Sequence, residues 1–174
     1  MKRFLDYLEE TRAFTDASYA DAQTPLLLCA VTDDTYKNVW QRKTRAKHPL
    51  SDVEENTQLA TLGDAVLKLV LAELLYLDFV QGRIENVTVE KQKYESDRVL
   101  VTVIGRHYGL LRYLRCDKRV VKQNYRYTGD DYKHIATAAE AVLGAVYLLD
   151  GFSAARTIVA EWRALIDQTG GKEK

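Results

Sequence analysis

Two acidic residues stand inside helical stretches that should otherwise bury apolar surface: Asp64 in Gly63-Asp64-Ala65-Val66-Leu67 and Glu140 in Glu140-Ala141-Val142-Leu143-Gly144-Ala145. An ionised carboxylate on a buried helix face is costly unless a cation, hydrogen bonds or a metal answers it. For Asp64 the answer can be Lys68, four residues downstream on the same face and in the favourable acid-first order. Glu140 has no such neighbour, because Ala136, Thr137, Leu143 and Gly144 occupy the positions three and four away. The small residues around it, Ala138, Ala139, Ala141, Gly144 and Ala145, indicate close contact with another helix. Two readings stay open on residue chemistry alone. Either Asp64 pairs within its helix and Glu140 is a surface glutamate, or the two share a hydrated Mg²⁺, with Mn²⁺ as a substitute, since hard cations take oxygen ligands.

The elements that must position these acids follow from apolar spacing. Residues 2–14 read as a weak amphipathic helix around Phe4, Leu5, Leu8 and Phe14. Thr24-Pro25 reads as an N-cap with proline at the first helical position, opening Leu26 to Val31. Residues 59–80 are apolar on nearly every side and are expected to form the central helix. Asp64, Lys68, Glu73 and Asp78 interrupt that stretch and exclude a membrane span there. After Gly82, residues 87–108 read as one further long helix. Residues 132–149 form a small-residue helix, Asp150-Gly151 breaks it, and 153–167 form a terminal amphipathic helix. No strand alternation or fixed repeat is found, so the expected class is all-α, with one domain over 1–169 and a flexible tail at 170–174.

Lys plus Arg equals Asp plus Glu at 25 each, so net charge does not indicate nucleic acid and only local clusters can. Arg42, Lys43, Arg45 and Lys47 form one such cluster, read as a solvated helix end or a phosphate-facing edge. Arg106, Arg112, Arg115, Lys118, Arg119, Lys122, Arg126 and Lys133 oppose only Asp117, Asp130 and Asp131 in a second, with Tyr125, Tyr127 and Tyr132 interleaved. The tyrosines read as packing residues more readily than as stacking platforms. Cys29 and Cys116 lack metal-ligand spacing and read as reduced thiols of a cytoplasmic protein, and the N-terminus lacks a secretory pattern.

Asn56 to Leu67 resembles the ribonuclease III signature, whose core reads Leu-Glu-Phe-Leu-Gly-Asp-Ala/Ser-Val/Ile-Leu. Ala136 to Asp150 resembles the second family motif, in which an Asp precedes Glu-Ala by three positions and Gly-Ala, an aromatic and Leu-Asp follow. Pro25 to Thr32 is similar to the family's Leu-Leu-x-x-Ala-Leu-Thr helix, and Asp97 to Leu110 to the segment ending in Tyr/Leu-Gly-Leu. Four ordered motifs over roughly residues 20–165 make the resemblance specific. It implies an all-helical, dimer-forming endonuclease domain that receives double-stranded or structured RNA and uses Mg²⁺ to hydrolyse phosphodiesters. Asp64 and Glu140 then match two of the family's four principal metal-site acids.

The departures are as informative. Ala60 stands where the family has glutamate four residues before the signature Asp, and Thr137 stands where it has Asp three before the second Glu. Thr57 replaces a further common glutamate, and Thr61 the Phe that often sits in the dimer contact. Glu54, Glu55 and Glu85 are the acids near enough in sequence to substitute. No C-terminal double-stranded-RNA-binding module is expected, a feature similar to the mini-ribonuclease III proteins, so RNA contacts would fall to Arg42, Lys43, Arg45, Lys47, Arg112, Arg115, Lys118, Arg119, Lys122 and Arg126. The resemblance thus implies either a Mg²⁺-dependent nuclease with Asp64 and Glu140 as ligands, or a silent relative that binds structured RNA or a ribosomal particle, or serves as half of a heterodimer.

Overall fold

A computed structural model of the chain describes residues 2–14, 25–44, 54–117 and 133–170. Helix α1 is Phe4–Glu10, followed by a 3-10 turn at Thr11–Ala13; α2 is Leu26–Ala30, α3 Tyr36–Thr44, α4 Thr57–Val80 and α5 Val87–Glu95. Next come α6 (Asp97–Val99), a π-helical stretch (Leu100–Gly105), α7 (Arg106–Tyr108) and a 3-10 turn (Leu110–Arg112), before α8 (Lys133–Gly170). The fold is all-α. Its one β feature among the described residues is an isolated bridge between Thr32 and Arg115.

Helix α4 is the central element because Leu59, Gly63, Val66, Leu67, Val70, Leu71 and Leu75 recur at three- and four-residue spacing and fall on one buried face. The expectation that it is buried on every side needs correction. Leu69, Tyr76 and Val80 are 58%, 59% and 64% exposed, so the described chain alone leaves one apolar flank open. Against the buried face lies α8, whose Ala139, Val142, Leu143, Ile158, Val159 and Trp162 are almost wholly buried. By length and composition α8 could cross a bilayer. In this fold those apolar side chains form the core shared with α4.

Gly151 breaks α8 where Asp150-Gly151 predicts it, with φ 79° and ψ −177°, a conformation L side chains avoid. Beyond the kink the helix returns to α4, where Arg156 donates to Glu73 at 3.2 Å and Arg163 donates to Asp78. The helix continues through Gly170, one residue into the expected tail. The predicted single helix over 87–108 is interrupted at Ser96 (φ −76°, ψ 142°), which accepts from the Val99 amide and restarts the helix at Asp97. Asn86 caps α5 in the same way through Thr88 and Val89. Helix α2 begins at Leu26 with Pro25 in the cap position, and Thr24 lies outside the described residues.

Candidate metal centre

Two glycines set the helices that carry the two acids against each other. A Cβ on Gly63 would stand 1.8 Å from the Glu140 carbonyl oxygen, and one on Gly144 would stand 2.4 Å from the Leu59 carbonyl oxygen. The α4 and α8 backbones therefore touch with no room for a methyl group between them. Asp64 directly follows Gly63, and Glu140 is the residue against which Gly63 rests. Glu140 is partly buried and its carboxyl is pushed up to about 7, first by burial and then by Asp64 and Asp97, with Lys68 and Lys133 pulling partly back. Glu140 thus lies at the helix contact, partly buried rather than fully on the surface.

Asp64 also meets its expected local partner. Lys68 Nζ donates to Asp64 Oδ2 at 2.7 Å. That ammonium is held above its ordinary range by the hydrogen bond to Asp64, against a smaller desolvation effect, and Asp64, Glu95 and Glu140 all add to it through their charge. Lys68 therefore stands in the field of carboxylates carried by α4, α5 and α8.

At the positions where acids are missing, Ala60 is buried at 6% exposure and Thr137 is partly buried. Thr61 Oγ1 donates within its helix to the Thr57 carbonyl at 3.1 Å. Of the acids considered as substitutes, Glu55 accepts from the Thr57 amide at 2.8 Å and from its hydroxyl, so it closes the first turn of α4. Glu54 is exposed, and Glu85 is exposed beyond the other end of α4. The acid that does bear on Glu140 is Asp97, at the start of α6. Sequence reasoning placed Asp97 in a family-like segment without a site role, and the Ser96-Asp97 helix start was the available signal.

The donors suit a hard cation. Asp64 and Glu140 offer carboxylate oxygens, and Mg²⁺ is commonly held by one or two carboxylates with waters and substrate phosphates completing its shell. Among the described residues no third acid joins them in a tight ligand group. The one group of three potential ligands within 4.8 Å of one another among the described residues is Asp33, Asp34 and His134. There, Asp33 is buried at 2% exposure, with Oδ2 2.6 Å from His134 Nδ1 and Oδ1 accepting from the Thr35 amide and hydroxyl. Burial pushes its carboxyl up, but these hydrogen bonds outweigh burial and hold it below the usual range. The contacts clamp the turn between α2 and α3 to the first turn of α8, a role not foreseen in the sequence.

Few of the expected phosphate-binding residues can be placed. Arg42 donates to the buried Asp117 at 2.8 Å and remains 46% exposed along its side chain. Arg112 is exposed. Arg115 is partly buried, donates to the Phe14 carbonyl at 3.1 Å and lies 5.7 Å from the Tyr36 ring centroid, so it holds elements together. Lys43 sits on α3, and nothing is described of its side chain. Arg45, Lys47, Lys118, Arg119, Lys122, Arg126, Tyr125 and Tyr127 lie outside the described residues.

The family model of the ribonuclease III domain matches residues 57–151, which is more than half of the chain and contains both acids. The chain belongs to the ribonuclease III domain family. Among curated relatives, Ribonuclease 3 of Pseudothermotoga lettingae is 29% identical over 94% of this chain and 62% of its own length. Ribonuclease 3 of Bdellovibrio bacteriovorus is 32% identical over 75% of this chain and 55% of its own. This ribonuclease III-family chain thus spans little more than half the length of such relatives. The nuclease domain of ribonuclease III from Campylobacter jejuni has the same fold, with a TM-score of 0.62 at 21% identity over 91% of this chain and 94% of that one.

Proposed function

We propose that this domain acts on double-stranded or structured RNA as a ribonuclease III-type protein, with Asp64 and Glu140 as the residues that would hold a divalent cation. The observation that carries this is the glycine-to-glycine crossing of α4 and α8, which sets the two acids in each other's field and leaves Glu140 partly buried at the helix contact. When bound, Mg²⁺ or Mn²⁺ would supply an activated water and stabilise charge developing on a phosphodiester. The chain's own part is to present Asp64 and Glu140 as oxygen donors from rigid helices and to bring RNA phosphates near them. Arg42 and Arg112 are the described candidates for phosphate contact, with the remaining basic residues of the two clusters alongside. The open flank of α4 is the face on which a second copy would sit. Support comes from the Campylobacter structure, which is described as having a region involved in dimer formation.

A second reading is favoured by Ala60 and Thr137. With both positions lacking a carboxylate, the site holds a cation loosely and the domain binds RNA without cutting it. One experiment separates the two readings. Duplex RNA is incubated with the protein and Mg²⁺ or Mn²⁺, and both retention and cleavage are recorded across a salt series. Metal-dependent cutting that disappears in Asp64→Asn and Glu140→Gln supports hydrolysis. Salt-sensitive retention without cutting supports the silent reading. No salt-sensitive retention and no cutting rejects an RNA function.

A further inference from the structure

The acids of this site are already answered by lysines. Asp64 on α4 is bonded to Lys68 at 2.7 Å, and Glu95 at the end of α5 lies 3.0 Å from Lys91. Glu140 on α8 is acted on by Asp64 and Asp97 in one sense and by Lys68 and Lys133 in the other. The Lys68 side chain is 47% exposed, so its position is not forced by burial. It is drawn there by charge, one helical turn beyond Asp64, which itself stands one turn beyond Ala60, where the family has a glutamate.

We infer that Lys68 is the resident counter-ion of the Asp64–Glu140 site, and that a divalent cation must displace its ammonium from Asp64 to bind. An ordinary surface pair within one helix contributes little and leaves its surroundings unaffected. Lys68 differs because its partner Asp64 directly follows Gly63, which rests on the Glu140 backbone, so the ammonium held on Asp64 lies at the α4–α8 contact and also repels any ion approaching Glu140. In a chain that has lost two metal-site acids, a fixed positive charge keeps the remaining pair tolerable without an ion. Metal binding is thereby made competitive with a side chain. The inference rests on the proposed cation site, but its test does not depend on RNA or on turnover.

The test is Mn²⁺ binding followed by the electron paramagnetic resonance of free ion, at low ionic strength, on the whole chain and on Lys68→Met and Lys68→Arg. Removing a unit charge next to a divalent ion in a partly solvated site is expected to tighten Mn²⁺ by about tenfold or more in Lys68→Met. Lys68→Arg keeps the charge and is expected to stay within about twofold of the parent. The tightening must vanish when Asp64→Asn is added. Equal affinity in the parent and Lys68→Met, including absence of binding in both, overturns the inference. So does tightening of the same size in Lys68→Arg. RNA retention, measured on the same proteins without Mn²⁺, reports separately on the RNA reading.

Discussion

Glu140 is the residue on which the site's electrostatics turn. Its carboxyl is pushed up to about 7 from 4.5, chiefly by burial and then by Asp64 and Asp97. An acid raised in the folded state holds its proton more tightly folded than unfolded, so it costs stability once pH exceeds the folded value, and the cost fades as pH falls towards the ordinary one. In a chelator, Glu140→Gln is therefore expected to stabilise the domain by on the order of 1–2 kcal/mol above pH 7 and to have no effect below pH 4.5, as read by thermal unfolding across pH. A constant effect at all pH values contradicts the assignment. This residue was legible in the sequence because an acid among alanines, with no cation one turn away, has no local explanation. Asp97 was not, because its closeness to Glu140 arises from packing between segments that share no pattern. The packing role of Arg115 was not legible either, because a partly buried arginine and an exposed one look alike in a basic run.

At the level of elements, the contact between α4 and α8 decides whether there is a site at all. A methyl on Gly63 or Gly144 meets backbone rather than a movable side chain. Gly63→Ala and Gly144→Ala should each cost about 3 kcal/mol or more in denaturant unfolding, while an alanine tolerated without loss would mean that the helices do not touch there. A second lock lies at the far end of α4. Asp78 is buried at 6% exposure and accepts from Arg83 and Arg163, which hold its carboxyl below the usual range, Arg83 most strongly. Asp78→Ala removes the partner of the partly buried Arg163 and should lower stability by about 2–4 kcal/mol, measurable by chemical denaturation. The long apolar stretches made α4 and α8 readable. The break at Ser96 was hidden because apolar spacing continues across it, and only the local backbone shows that the hydroxyl restarts the helix.

For the whole molecule, the all-α architecture and its family were both legible, since ordered motifs fixed which helices must meet. The open flank of α4 was not, because apolar residues that fill a core and those that await a second copy have the same composition. If Leu69, Tyr76 and Val80 lie in a homodimer, Leu69→Glu should convert dimers to monomers in sedimentation without loss of helicity, and an unchanged dimer would place the contact elsewhere. The central claim is narrower: folding joins Asp64 and Glu140 into one cation site. The most direct measurement is Mn²⁺ titration of the intact chain beside Asp64→Asn and Glu140→Gln, scored by bound ion rather than by turnover. The account predicts weak binding in the parent that either substitution abolishes. Binding that survives both substitutions unchanged would contradict it.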